Sequence, residues 1–198
     1  MQVKLKESKT YVNLMRAFAG ESQARNRYNI AASAARKEGL QIVEAVFNYT
    51  ADQERSHAKV FYELLKDHAG ESIAIEGAYP VDLYESTLKA LRAAQQNENE
   101  EWDNVYKNFG LTAREEGFNQ AAYIFESIAK IERVHAERFE RFADELENGS
   151  LFRKKDEIVW ICTNCGHIHV GREAPEVCAV CKHPKGFFLP FAESFAAR

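Results

Sequence analysis

Thr50-Ala51-Asp52-Gln53-Glu54-Arg55-Ser56-His57-Ala58 and Ile128-Ala129-Lys130-Ile131-Glu132-Arg133-Val134-His135-Ala136 each contain one Glu-x-x-His step, and the two steps stand 78 residues apart (54 to 132). On an α-helix, positions i and i+3 share a face and lie about 4.5 Å apart along the axis. Each step therefore aims a carboxylate and an imidazole at one point. Two such steps on facing helices, completed by Glu from two partner helices, form the ligand set of a carboxylate-bridged dimetal site in a four-helix bundle.

The surrounding residues supply those helices. Ala121, Phe125, Ile128, Glu132, His135, Phe139, Phe142 and Leu146 recur at three- to four-residue spacing, an apolar stripe with Glu and His at its centre. Val43, Phe47, Thr50, Glu54, His57, Phe61 and Leu64 repeat the pattern upstream. Two further segments offer Leu14, Phe18, Glu21 and Tyr28, and Leu91, Ala94, Glu98, Glu101 and Val105. All four stripes thus carry carboxylates where apolar side chains are expected. Burying ionised carboxylates together costs several kcal/mol per ion, and two metal cations would offset that cost. Carboxylate-rich sites with some imidazole suit iron or manganese, and the sequence does not separate the two.

Gly and Pro punctuation predicts four helices: about 10–38 ending at Gly39, 41–68 ending at Gly70, 86–113, and 118–147 ending at Gly149. Residues 70–80 read as a crossover, and Gly110 is a candidate interruption of the third helix. The two pairs are repeats. Ala35-Arg36-Lys37-Glu38-Gly39-Leu40 matches Ala113-Arg114-Glu115-Glu116-Gly117-Phe118, and the same offset carries Tyr28 onto Tyr106. It carries Glu21 onto Asn99, however, and the nearest carboxylate is Glu98. That one-residue slip predicts a π-bulge in the third helix. Glu38 and Glu100 are expected on solvated faces, and His68 at a helix C-terminus.

From Ile158 the chain changes character, to short apolar and aromatic runs with Gly, Pro and Cys. Phe152–Glu157 reads as a charged linker. Cys162-x-x-Cys165 and Cys178-x-x-Cys181 fit a tetrahedral tetrathiolate site for zinc or a single iron. All four cysteines of the chain lie in these pairs, which favours a metal site in a reducing compartment over disulfides. The length of 198 residues allows one full domain plus a small module, expected at 1–149 and 150–198. A net charge of −4 without a basic run gives nucleic acid nothing to bind. No apolar stretch approaches the ~20 residues of a membrane span, and Met1–Leu14 lacks the apolar core of a signal peptide, so a cytoplasmic location is expected.

On these motifs the chain resembles the rubrerythrins over essentially its whole length. The resemblance implies a mainly α fold, a ferritin-like four-helix bundle followed by a small rubredoxin-like β-rich metal knuckle domain. It implies two irons held by Glu21, Glu54, His57, Glu98, Glu132 and His135, with Glu101 as the extra carboxylate of this family. Glu54 and Glu132 would bridge, Glu98 and His135 would belong to one iron, and Glu21 to the other. Glu101 would hold that second iron when oxidised and His57 when reduced. Tyr28 and Tyr106 correspond to tyrosines that hydrogen-bond the ligand carboxylates. Trp160, Gly166, Phe187, Phe188 and Cys181-Lys182-His183-Pro184-Lys185 resemble the family's tail, whose four cysteines would hold a third iron, or zinc as a substitute. Lys182 departs from free rubredoxins, which commonly have Gly there.

The activity implied is a non-haem peroxide reductase that turns hydrogen peroxide into water. Its electrons would come from reduced rubredoxin or a similar donor served by a separate NAD(P)H reductase. This chain has no Gly-x-Gly-x-x-Gly dinucleotide fingerprint. A head-to-tail homodimer or larger assembly is expected. The competing expectations are a ferroxidase or iron-storage protein of the ferritin type, and a scaffold with a zinc tail.

Overall fold

Ser8 opens the bundle: its hydroxyl accepts from the Tyr11 amide at 3.1 Å and donates to the Leu5 carbonyl at 2.6 Å, the N-cap arrangement that starts a helix. In the computed structural model, which describes residues 3–194, helix α1 spans Lys9–Lys37 and α2 spans Gln41–Glu63. Met1, Gln2 and residues 195–198, at the two ends of the expected domains, lie outside the described residues.

The repeated hexapeptides build the same turn twice. Leu40 N–H reaches the Ala35 carbonyl at 2.9 Å and Gly39 N–H reaches Arg36 at 3.1 Å; Phe118 to Ala113 and Gly117 to Arg114 do the same at 2.8 and 3.1 Å. This is the Schellman ending, and it requires the positive φ of Gly39 (76°) and Gly117 (86°). The carboxylates beside these glycines also act alike. Glu38 accepts from the Thr87 amide at 2.7 Å, and Glu116 from the Lys9 and Thr10 amides at 2.9 Å each. Each helix pair therefore caps the N-terminus of the other. Glu38 is exposed, as expected, but it is not merely solvated.

The second helix is shorter than expected. It ends at Glu63, and a 3-10 turn over Lys66–His68 follows. The turn swings Leu65 inward, where only 4% remains exposed, and sets the His68 ring edge-on to Tyr11 at 4.7 Å. Burying that leucine favours the turn over five more helical residues. His68 Nδ1 lies 3.5 Å from Glu71.

After an irregular crossover, α3 spans Thr87–Glu100, a π-helical turn covers Glu101–Val105, and α4 continues over Tyr106–Glu115. The Tyr106 amide bonds the Glu101 carbonyl, five residues back. This is the extra residue that the repeat slip predicted. It lets Glu98 instead of Asn99 face inward and still returns Tyr106 to its place opposite Tyr28. Gly110 does not interrupt the helix; it packs close to α5, where an added Cβ would meet the Glu126 side chain at 3.3 Å.

Helix α5 spans Asn119–Glu147 and packs on α3 and α4, as α2 packs on α1. Two apolar clusters result, one around Tyr28, Phe47, Leu91 and Phe139, the other around Leu14, Phe61, Tyr106 and Phe125. The acidic stripe residues lie between them.

A three-stranded antiparallel sheet follows, β1 (Arg153–Cys162) in the centre, β2 (Ile168–Glu173) and β3 (Phe188–Pro190) at its edges. The expected linker is therefore largely strand: Arg153 pairs with Glu173 in the sheet and through an ion pair at 2.7 Å. Trp160 is fully buried and donates to the Gly171 carbonyl at 2.9 Å. Gly186 seats this module on the α1–α2 turn, where an added methyl would overlap the Gly39 carbonyl oxygen and the Gln41 side chain. Gly186→Ala is expected to undock the module while leaving the bundle folded. Limited proteolysis near residues 148–152 should then become at least tenfold faster, with the helical circular dichroism unchanged.

Candidate metal centres

The four stripes converge on one buried layer. Glu21 comes from α1, Glu54 and His57 from α2, Glu98 from α3, and Glu132 and His135 from α5. They fall into two groups, Glu21/Glu54/His57/Glu132 and Glu54/Glu98/Glu132/His135, and within each the candidate ligand atoms lie within 4.8 Å of one another. Glu54 and Glu132 belong to both. Their oxygens divide between the histidines: Glu54 places Oε2 3.1 Å from His57 Nδ1 and Oε1 3.0 Å from His135 Nδ1. Glu132 places Oε1 3.0 Å from His57 Nδ1 and Oε2 2.8 Å from His135 Nδ1. Glu21 lies 3.7 Å from His57, and Glu98 3.8 Å from His135. A carboxylate reaching both centres can bridge two ions, whereas Glu21 and Glu98 each reach one.

The donor set fits two cations on the structure's own terms. Glu21 Oε2, Glu54 Oε1, Glu98 Oε2, both Glu132 oxygens and His135 Nδ1 are buried without a hydrogen-bond partner. Buried polar atoms left so are costly, and these six converge. In the metal-free chain, protons carry the compensation. Burial, then the charges of Glu132 and Glu54, pushes Glu21 well above the ordinary carboxylate range; burial, then Glu54 and Glu132, does the same to Glu98. Burial and the same two neighbours raise Glu101 to about 8. Burial would depress His57 and His135, but the carboxylates that approach them, Glu132 first, overcome it and raise both imidazoles. Glu54 goes the other way: burial opposes its ionisation, yet His135 and His57 draw it down to about 2.

These shifts set a pH dependence. A group raised in the folded state contributes stability that is present below its unfolded pKa and lost as pH climbs through its folded one. The metal-free chain is therefore expected to melt at progressively lower temperature as pH rises from about 5 toward 8, the raised value of Glu101, with the upward shifts of Glu21, Glu98 and the two histidines acting in the same direction. Glu54 contributes with opposite sign, but only below its ordinary 4.5. The metal-loaded chain should show little slope in that window. Parallel calorimetry of both forms checks this.

Around the acidic layer, other side chains orient it. The Tyr28 hydroxyl donates to Glu98 and the Tyr106 hydroxyl to Glu21, both fully buried. Burial, then the facing carboxylates, raises both phenols well above their usual range, so they remain donors. His135 Nε2 lies 3.1 Å from Gln53 Oε1, which also accepts from Arg138 at 3.1 Å; Arg138 in turn reaches Thr50 Oγ1 at 3.1 Å. With Nε2–H donating to Gln53, Nδ1 is the nitrogen left facing the cluster, where it could serve as a metal ligand. Sequence reasoning missed Gln53 and Arg138, although Gln53 precedes Glu54 and Arg138 lies at i+3 from His135. Glu101 stands apart. It belongs to neither group and is half-buried at the start of the π-turn, where it lines an adjacent cavity.

The four cysteines close the second centre. Cys162 and Cys181 Sγ atoms lie 3.7 Å apart, as do those of Cys165 and Cys178. A tetrahedral site with metal–sulfur bonds of about 2.3 Å has sulfur–sulfur edges of about 3.8 Å, and a disulfide about 2.05 Å. The spacing fits a tetrathiolate. The two knuckles match: Gly166 N–H bonds the Cys162 carbonyl at 2.8 Å, and Lys182 N–H the Cys178 carbonyl at 3.1 Å. Gly166 has φ 76° and Lys182 φ 63°, so the lysine occupies a position glycine would fill with less strain. The His183 amide draws Cys181 down to about 5, favouring a thiolate there.

Among the described residues no helix is long and apolar enough to cross a membrane. A rubrerythrin family profile matches residues 13–157, and a profile described as rubrerythrin, rubredoxin-like domain, matches residues 160–188. The chain is 45% identical over 192 residues to a rubrerythrin of Clostridium perfringens (strain 13 / Type A), covering 96% of this chain and 98% of that one. It is 43% identical over 195 residues to a rubrerythrin of Porphyromonas gingivalis (strain ATCC BAA-308 / W83), covering 98% and 96%. The solved structure of fully reduced, all-ferrous nigerythrin superposes with a TM-score of 0.62 at 30% identity, covering 93% of this chain and 90% of that one.

Proposed function

Because the chain belongs to the rubrerythrin family, a family of diiron oxidoreductases, we propose that it is a peroxide reductase that converts hydrogen peroxide to water in defence against oxidative stress. One observation carries this reading: a single chain joins a buried two-centre carboxylate–imidazole layer to a tetrathiolate knuckle. Storage of iron needs no such second centre. When bound, the paired irons supply the two electrons that break the O–O bond, and the thiolate-held iron passes replacements one at a time.

The chain's own residues do the rest. Glu54 and Glu132 would be shared by the pair, Glu98 with His135 and Glu21 would complete its two ends, and Tyr28 and Tyr106 orient Glu98 and Glu21. At the Glu21 end His57 would serve as a neutral ligand suited to a reduced pair, and Glu101 as an anionic one suited to an oxidised pair. While His57 serves, Glu101 is the free carboxyl on that side, and its burial favours the protonated form. That proton goes to the departing oxygen, and solvent supplies the second that two waters require.

Residues 1–149 act as the reducing domain and residues 150–198 as the electron-accepting module. The donor is reduced rubredoxin or a similar carrier served by a separate NAD(P)H reductase, and the setting is the cytoplasm. The module sits on Gly39 and Gln41, and α2 rises about 20 Å from Gln41 to Glu54. A second copy packed head to tail brings a nearer tetrathiolate, so the working form is at least a homodimer.

The test is anaerobic. The fully reduced protein receives one equivalent of hydrogen peroxide in a stopped-flow cell, and rapid return of the red iron–thiolate absorbance is expected. Rapid oxidation by dioxygen alone would overturn the reading in favour of a ferroxidase. A colourless protein throughout would favour the zinc-tailed scaffold.

A further inference from the structure

A cavity of about 220 Å³ lies between α1, the π-turn and the crossover, beside the dimetal layer. Glu101 and Tyr106 form its inner wall and residues 76–80 of the crossover its outer one. It touches the one candidate ligand that stands outside both ligand groups. Two features mark the space as maintained.

The first is Gly20. This glycine is buried in the middle of α1, where it weakens the helix relative to alanine. Close packing does not demand it, since an added Cβ would meet nothing within 4 Å. Gly20 lines the cavity, so a side chain there would project into the open volume and fill it. The second is the fastening of the outer wall. Arg16 Nε donates to the Glu76 carbonyl at 3.1 Å. Asp82, just beyond, accepts from Arg27 at 2.6 Å and from Asn97 at 2.7 Å. The Tyr79 ring folds back over Gly77, where an added Cβ would come 3.0 Å from its hydroxyl. The crossover has no regular secondary structure over these residues, so side chains, not a ladder of backbone bonds, hold it in place. Arg16, Gln23, Arg27 and Asn97 give the walls hydrogen-bonding groups suited to a small polar molecule.

We propose that this cavity is the access route and holding site through which hydrogen peroxide reaches the Glu101 side of the dimetal layer. Gly20 keeps it open, and Tyr79 on the strap of residues 76–80 closes its outer side. The inference rests on the peroxide-reductase reading for its ligand, but not for its geometry.

The test uses the iron-loaded full-length protein with two probes, azide on the oxidised form and hydrogen peroxide on the reduced form. Gly20→Leu should slow azide association, read from charge-transfer absorbance, by at least tenfold, and slow peroxide oxidation by a similar factor. Iron content and melting temperature should not fall. Tyr79→Ala, which opens the route from the other wall, should raise the azide association rate at least twofold. Wild-type azide rates in an iron-replete Gly20→Leu protein would overturn the proposal. If Gly20→Leu loses iron, an unchanged azide rate in Tyr79→Ala overturns it instead. A wild-type protein inert to peroxide but sensitive to these substitutions in azide binding would sink the peroxide reading and leave the route standing.

Discussion

Glu132→Ala is expected to empty the dimetal site while the tetrathiolate still fills. Iron per chain should drop to the tetrathiolate's share, and oxidation of the reduced protein's bundle by peroxide should fall by more than about a hundredfold. The reason is geometric. Both Glu132 oxygens are buried without hydrogen bonds, and they face His57 at 3.0 Å and His135 at 2.8 Å. No other side chain of α5 can replace them, and Glu54 alone would be left to bridge. Losing a residue that merely supports a ligand typically costs 10–100-fold in metal affinity or activity, so losing a shared ligand should cost more. Iron analysis with visible spectroscopy measures the outcome. A Glu132→Ala protein with full iron and wild-type oxidation would show that Glu132 does not bridge. Glu132→Gln, which keeps the volume but one carbonyl oxygen only, should fall between the two.

Cys181→Ser should separate the two centres functionally. Steady-state peroxide reduction fed by an external donor is expected to fall by about a hundredfold or more, because the serine hydroxyl is a poor replacement for a thiolate and the relay iron is lost. A single turnover of chemically pre-reduced protein should keep its wild-type rate, since the dimetal layer is untouched. Both Cys–Cys contacts at 3.7 Å hold the knuckles to each other, so the folding of the module is followed by the fluorescence of buried Trp160 in a Trp102→Phe background. If steady-state turnover survives while the red colour disappears, the knuckle is structural and electrons enter the bundle directly.

Much of the site was legible because its signal is local. A Glu-x-x-His step within an apolar stripe needs only the helical period to be read, and it appears twice in register. The π-turn was legible through a defect in the repeat: Glu98 stands one position early, and an extra residue between it and Tyr106 must be absorbed by the helix. The Gly39 and Gly117 endings follow from the same hexapeptide. What escaped depended on partners remote in the chain. Glu38 looked like a surface carboxylate, and Glu116 gave no sign of its role, because the amides they cap lie 49 and about 107 residues away. Gln53 gave no sign of its role because its target, His135, is on another helix. The early end of α2 depended on Leu65 finding a pocket in the core, and the conversion of the charged linker to strand depended on pairing with Glu173.

The sequence by itself determined the helical class, the paired carboxylate–imidazole steps and the four-thiolate module, since each follows from periodicity or spacing within a single element. Only the tertiary structure decided which carboxylates are shared, where Glu101 stands, how His135 is oriented and what space adjoins the metal layer. Those depend on distances between helices, which are set when apolar faces pack and no earlier.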